Sequence, residues 1–100
     1  MRIILDDRRP LPENSIYNCV RSYEECIFLL RNFRTIRYIS LDFDLGEKSK
    51  TGLDVLKYMK ENGNKVEHIN LHTDNTLGLP LMQAYAEENF PDTQLTFRHL

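Results

Sequence analysis

The chain has 100 residues, 41% apolar and 28% charged, with a net charge of −2 from 13 Lys+Arg and 15 Asp+Glu. That length holds one domain around one core, the apolar content excludes a disordered or collagen-like chain, and the acidic balance argues against a bulk nucleic-acid binder, which would be clearly basic. No apolar run nears the ~20 residues of a membrane span, no secretory leader is evident, and Cys19 and Cys26 form no CxxC pair, so the expectation is a cytoplasmic chain with reduced, buried thiols.

Arg2 to Leu5 is a nearly continuous apolar run with β-branched residues, which predicts a buried strand. Asp6-Asp7-Arg8-Arg9-Pro10 ends it as loop, and Pro10, Pro12 and Asn14 keep the chain irregular up to Ile16. Ile16 to Val20 predicts a second strand. Ser22-Tyr23-Glu24-Glu25 has the form of a capping box. Cys26, Ile27, Leu30 and Phe33 then recur at helical spacing, which predicts a helix over 23–33. Tyr38 to Leu41 reads as a third strand, ending at Asp42-Phe43-Asp44-Leu45-Gly46, with polar loop over 47–50. Thr51-Gly52-Leu53-Asp54 opens a second helix with Leu53, Leu56 and Met59 on its apolar face and Gly63 as its stop. Val66 to Leu71 is a fourth strand, Pro80 to Asn89 a third helix, and Leu95 to Phe97 a short last strand.

Strands alternating with helices predict an α/β domain with a mainly parallel sheet and three helices. The runs Ile3–Leu5, Ile39–Leu41 and Ile69–Leu71 are expected at its centre, with helices on both faces. The first connection, residues 6–15, is short and proline-rich, whereas a crossover helix usually needs a dozen or more residues. One helix of the regular pattern is therefore expected to be missing.

Open α/β sheets bind ligands beyond the carboxyl ends of their strands. Asp6 and Asp7 follow the first strand, Asp42 and Asp44 the third, and His72, Thr73, Asp74 and Asn75 the fourth. If these strands are parallel neighbours, the clusters meet at one edge. Carboxylates gathered there stay ionised only beside something positive. Mg²⁺ (or Mn²⁺) suits such oxygen ligands; Arg8 or Arg9 could neutralise the acids without any metal. Each cluster also has a plainer reading: aspartates after strands are common turn and cap residues, and a lone His is often structural. His68 and His99 lack an acidic constellation, and Cys19 and Cys26 read as core. Arg31, Arg34 and Arg37 fit a solvated helix end, and no glycine-rich phosphate loop is present.

The ordered set of motifs resembles response-regulator receiver domains, and more closely the cyclic-phosphate-processing receiver-like group. It comprises Leu5-Asp6-Asp7-Arg8-Arg9-Pro10, Leu41-Asp42-Phe43-Asp44-Leu45-Gly46, Thr51-Gly52-Leu53-Asp54-Val55-Leu56, and His72-Thr73-Asp74-Asn75 with Gly78, over residues 2 to about 90. The resemblance implies a small flavodoxin-like fold without its first crossover helix. It implies that Asp6, Asp7 and Asp42 hold a divalent metal, that Asp42 is the candidate phosphoacceptor, and that Thr73 hydrogen-bonds a phosphoryl oxygen. Asp44 would offer a backbone carbonyl to the metal, and its carboxylate or His72 could act as a base for water. Receivers carry a Lys at the end of the fifth strand; Gln94 to Leu100 has none, only Arg98 and His99.

Two functions follow as expectations. One is a metal-dependent site for a phosphate-containing small molecule or phosphodonor, extending to a phosphoesterase in cyclic-phosphate processing or signalling. The other is a non-enzymatic module that keeps the scaffold and acts on a protein partner. Neither calls for a membrane or nucleic acid.

Overall fold

The computed structural model describes residues 1–11, 16–46 and 50–100. Pro12 and Asn14, and positions 47–49 of the expected polar loop, lie outside the described residues. The elements in chain order are β1 (Arg2–Leu5), β2 (Asn18–Val20), α1 (Tyr23–Asn32), β3 (Thr35–Ile36), β4 (Tyr38–Leu41), α2 (Gly52–Asn62), β5 (Lys65–Val66), β6 (His68–Leu71), α3 (Gly78–Asn89) and β7 (Gln94–Thr96).

Local chemistry sets the helix ends. Ser22 caps α1, its Oγ accepting from the Glu25 backbone at 3.2 Å. Thr51 N donates to Asp54 Oδ2 at 2.8 Å at the start of α2, and Gly63, at φ 70°, ends that helix in the left-handed region. The expected fourth strand over Val66–Leu71 is interrupted at Glu67. Its first part, β5, pairs in parallel with β3 as a separate two-stranded ribbon.

Five strands form one sheet in the order β2-β1-β4-β6-β7, and every neighbouring pair is parallel. Leaving out the short ribbon, this is the flavodoxin-like order, which reverses direction between β1 and β4. Among the described residues between β1 and β2 there is no helix, as the short connection implied.

The expectation of helices on both faces needs correction. Ile3, Leu5, Ile39, Leu41, Ile69 and Leu71 join Cys26, Leu30, Leu56, Met59 and Met82 in one core cluster. The helices lie side by side on that face, α1 against α2 and α2 against α3. The alternate strand residues, Ile4, Ser40 and Asn70, are outside the cluster although buried. They point to the opposite face, which carries no helix among the described residues. Cys26 belongs to the core, where burial pushes its thiol up to about 12. Cys19, expected in the core, is exposed on the edge strand β2.

Candidate functional site

Hydrogen bonds of the parallel ladder run one residue past the strands: Asp6 N to Val20 O, Asp42 N to Leu5 O, and His72 N to Leu41 O. The two-residue period of a strand therefore places Asp6, Asp42 and His72 in line with Ile4, Ser40 and Asn70 on the face without helices. Asp6 and Asp42 end the two strands that flank the reversal in strand order, where the fold makes its crevice.

Arg9 occupies the centre of this edge. Its Nη1 donates to Asp6 Oδ2 at 2.8 Å and Asp42 Oδ2 at 3.0 Å, and also to the His72 carbonyl at 3.4 Å. Its Nη2 bonds the exposed carboxylate of Asp74. The loop that carries it is anchored by Arg21, whose Nη1 donates to the carbonyls of Asp6 and Arg9 at 3.4 and 2.6 Å.

Asp6 is fully buried and fully engaged. Oδ1 accepts from Arg8 N and Arg9 N at 3.0 and 2.8 Å; Oδ2 accepts from Arg9 Nη1 and bonds His72 Nε2 at 3.0 Å. Burial alone would raise its pKa, but the Arg9 and Arg8 backbone donors, with the Arg9 guanidinium and His72, together lower it to about 2. Arg9 is correspondingly held charged by Asp6 and Asp74 against the cost of burial. The His72 pKa is lowered, chiefly because burial disfavours the imidazolium, and the pull of Asp6 does not overcome that.

Asp6, Asp42 and His72 each offer a ligand atom within 4.8 Å of the others. Asp7 is outside that group; its carboxylate lies against Gly46, where an added Cβ would meet Asp7 Oδ2 at 2.9 Å. Asp44 is exposed and accepts from Asn75 Nδ2 at 3.2 Å, while Asn75 Oδ1 accepts from Leu77 N and Gly78 N at the start of α3. Thr73 is buried; its Oγ1 accepts from Asn75 N at 3.1 Å, and a hydroxyl that accepts still has a proton to give. Both His72 ring nitrogens are engaged inside the protein, Nε2 with Asp6 and Nδ1 with Ser40 Oγ at 2.6 Å. Arg98 and His99 are exposed.

Gly52 brings the start of α2 against the site. A Cβ there would lie 2.1 Å from the Asp42 carbonyl oxygen and 2.9 Å from Met82 Sδ, and its N–H bonds the Phe43 carbonyl at 3.0 Å. The Thr-Gly-x-Asp helix start thus serves to bring backbone close to Asp42.

Arg9 against Asp6, Asp42 and Asp74 leaves a formal charge of −2 before Asp7 is counted, and such an excess suits a hard divalent ion. Asp6 has its oxygens committed to protein donors. Asp42 Oδ1 has no hydrogen-bond partner among the described residues and is a carboxylate oxygen of the kind a hard cation takes.

Sequence reasoning named Arg9 only as a competitor for the metal and passed over Ser40 and Asn70. Their signal was the alternation of polar residues along β4 and β6.

A 2-1-3-4-5 parallel sheet with paired acids beyond β1 and a third beyond β4 defines a receiver-like domain. The family model described as cyclic-phosphate processing Receiver domain matches residues 1–88. The chain belongs to that family. No curated protein and no solved structure matches it.

Proposed function

We propose that this domain binds a phosphoryl group or phosphate ester at the carboxyl edge of its sheet, with Mg²⁺ or Mn²⁺ as a second counter-charge beside Arg9. The observation that carries the reading is the net negative charge left after Arg9 has paired with Asp6, Asp42 and Asp74, to which Asp7 adds another. A phosphate dianion is repelled by that crevice and is accepted once a divalent ion sits in it. Asp42 and Asp7 would hold the ion. When bound, it would neutralise charge on the phosphate oxygens.

The remaining roles belong to the chain itself. Arg9, itself held by Asp6, fixes Asp42 Oδ2 and leaves Oδ1 for a ligand. Thr73 has a hydroxyl proton for a phosphoryl oxygen. Asp44, exposed and steadied by Asn75, is the carboxylate able to take a proton from water. His72, with both nitrogens engaged, acts through Asp6. The family description points to cyclic phosphates as the ester class.

Calorimetry and thermal unfolding with Mg²⁺ or Mn²⁺ test the reading, with a panel of cyclic nucleotides and nucleotide 2′,3′-cyclic phosphates, on the parent and Asp42→Asn. Metal should stabilise the parent and not the variant, and ester binding should require metal. Turnover of any ester would make the domain a phosphoesterase, and long-lived labelling of Asp42 by acetyl phosphate would make it an ordinary receiver. No metal binding and no ester binding would sink the proposal. That outcome would favour a contact module, a reading supported by Leu77 and Leu81, 80% and 54% exposed at the start of α3 beside the site.

A further inference from the structure

Five hydrogen bonds join six side chains in one row across the face of the sheet that carries no helix among the described residues. His68 Nε2 meets Thr96 Oγ1 at 2.7 Å, and Thr96 Oγ1 meets Asn70 Oδ1 at 2.7 Å. Asn70 Nδ2 then meets Ser40 Oγ at 2.9 Å, Ser40 Oγ meets His72 Nδ1 at 2.6 Å, and His72 Nε2 meets Asp6 Oδ2 at 3.0 Å. The row thus spans β7, β6 and β4 and ends on the Asp6–Arg9 pair.

The direction of the row follows from its middle. The Asn70 amide cannot be turned over, because Oδ1 accepts from the Arg98 backbone N–H at 2.8 Å and Nδ2 donates to the Arg98 carbonyl at 2.8 Å. Asn70 Oδ1 therefore takes the single Thr96 hydroxyl proton, and Thr96 must accept from His68 Nε2–H. On the other side Asn70 Nδ2 donates to Ser40, so the Ser40 proton is left to donate to His72 Nδ1. His72 then carries its proton on Nε2, aimed at the Asp6 carboxylate. Every donor points the same way, from His68 to Asp6.

We propose that Asn70 and Ser40 are positioning residues of the site: the Arg98 backbone fixes the Asn70 amide, and the row transmits that orientation to make His72 a fixed Nε2–H donor to Asp6. Ser40, His72 and Asp6 have the residue types of a nucleophile triad, but Ser40 is fully buried and already accepts from Asn70, so it holds the ring and meets no substrate.

Nitrogen-15 NMR of the histidine rings in the full chain, at fixed neutral pH and without ligand, tests this independently of the phosphate reading. His72 and His68 should each show a protonated, pyrrole-type Nε2 and a pyridine-type Nδ1. The His68 result is the stricter check, because Thr96 and not a carboxylate sets it. Asn70→Asp replaces the amide donor facing Ser40 with an acceptor. It should turn the Ser40 proton away from His72 and give Nδ1 pyrrole-type character, while Asn70→Gln, which restores an amide, should keep more of the parent pattern. A pyrrole-type Nδ1 on either histidine of the parent would overturn the proposal, and so would an unchanged His72 in a folded Asn70→Asp variant. If that variant does not fold, the parent spectrum alone decides.

Discussion

Arg9→Ala is the perturbation that bears most directly on the electrostatics of the crevice. One guanidinium nitrogen lies 2.8 Å from Asp6 Oδ2 and 3.0 Å from Asp42 Oδ2, and both carboxylates are buried. Without Arg9, two negative charges remain with ligand oxygens no more than 4.8 Å apart. At an effective dielectric constant near 20, their repulsion is on the order of 3 kcal/mol. That agrees with the roughly 3–5 kcal/mol typical of removing one partner from a buried ion pair. For a chain of this size the loss corresponds to a drop in Tm of roughly 15 °C. Urea unfolding at pH 7 should show a lower midpoint with unchanged slope. Arg9→Lys, which keeps the charge but loses the fork, should lose less. Added Mg²⁺ should recover more stability in Arg9→Ala than in the parent, because it enters a site with one more uncompensated charge. An Arg9→Ala variant within about 0.5 kcal/mol of the parent, the range of ordinary surface changes, would refute the view that Arg9 neutralises the cluster.

Acid unfolding should proceed in two steps. The His72 and His68 pKa values are lowered by burial; the unfolded chain binds protons first, so stability should begin to fall below pH 6.5. Asp6, with a folded pKa of about 2 against an ordinary 3.8, contributes on the order of 2 kcal/mol that is fully present above pH 4 and is lost as pH falls toward 2. Equilibrium unfolding against pH should show the lower step missing in Asp6→Asn. Gly52→Ala should lower Tm and weaken Mg²⁺ binding together, since its Cβ would press on the Asp42 carbonyl; a variant with parent-like values of both would remove Gly52 from the site. Asp42→Asn should abolish the rise in Tm produced by Mg²⁺, measured by thermal shift.

Much of the fold was legible because its signals are local. The capping serine, Gly63 and the three apolar strand centres act over a few residues, and the proline-rich start of the first connection announced the missing helix. The helix-free face was missed for an identifiable reason. Ile39-Ser40-Leu41 and Ile69-Asn70-Leu71 read as nearly continuous apolar runs, yet Tyr38, Ser40 and Asp42, with His68, Asn70 and His72, alternate with the core residues at strand period. Ser40 and Asn70 interrupt an apolar pattern only once each, and the partners that join them, Asn70 with Ser40 and Thr96 with Asn70, come from strands far apart in the chain. Arg9 illustrates the same limit. Its nearness to Asp6 was visible in the chain, but its reach to Asp42 and Asp74 depends on the pairing of β1, β4 and β6.

The most direct test of the phosphate-site account is a crystal structure of the domain soaked with Mg²⁺ and beryllofluoride, a mimic of an aspartyl phosphate. The account predicts the cation on Asp42 and Asp7, the anion within hydrogen-bond reach of the Thr73 hydroxyl, and Arg9 still between Asp6 and Asp42. A crevice with neither cation nor anion, or with both bound elsewhere on the surface, would contradict it.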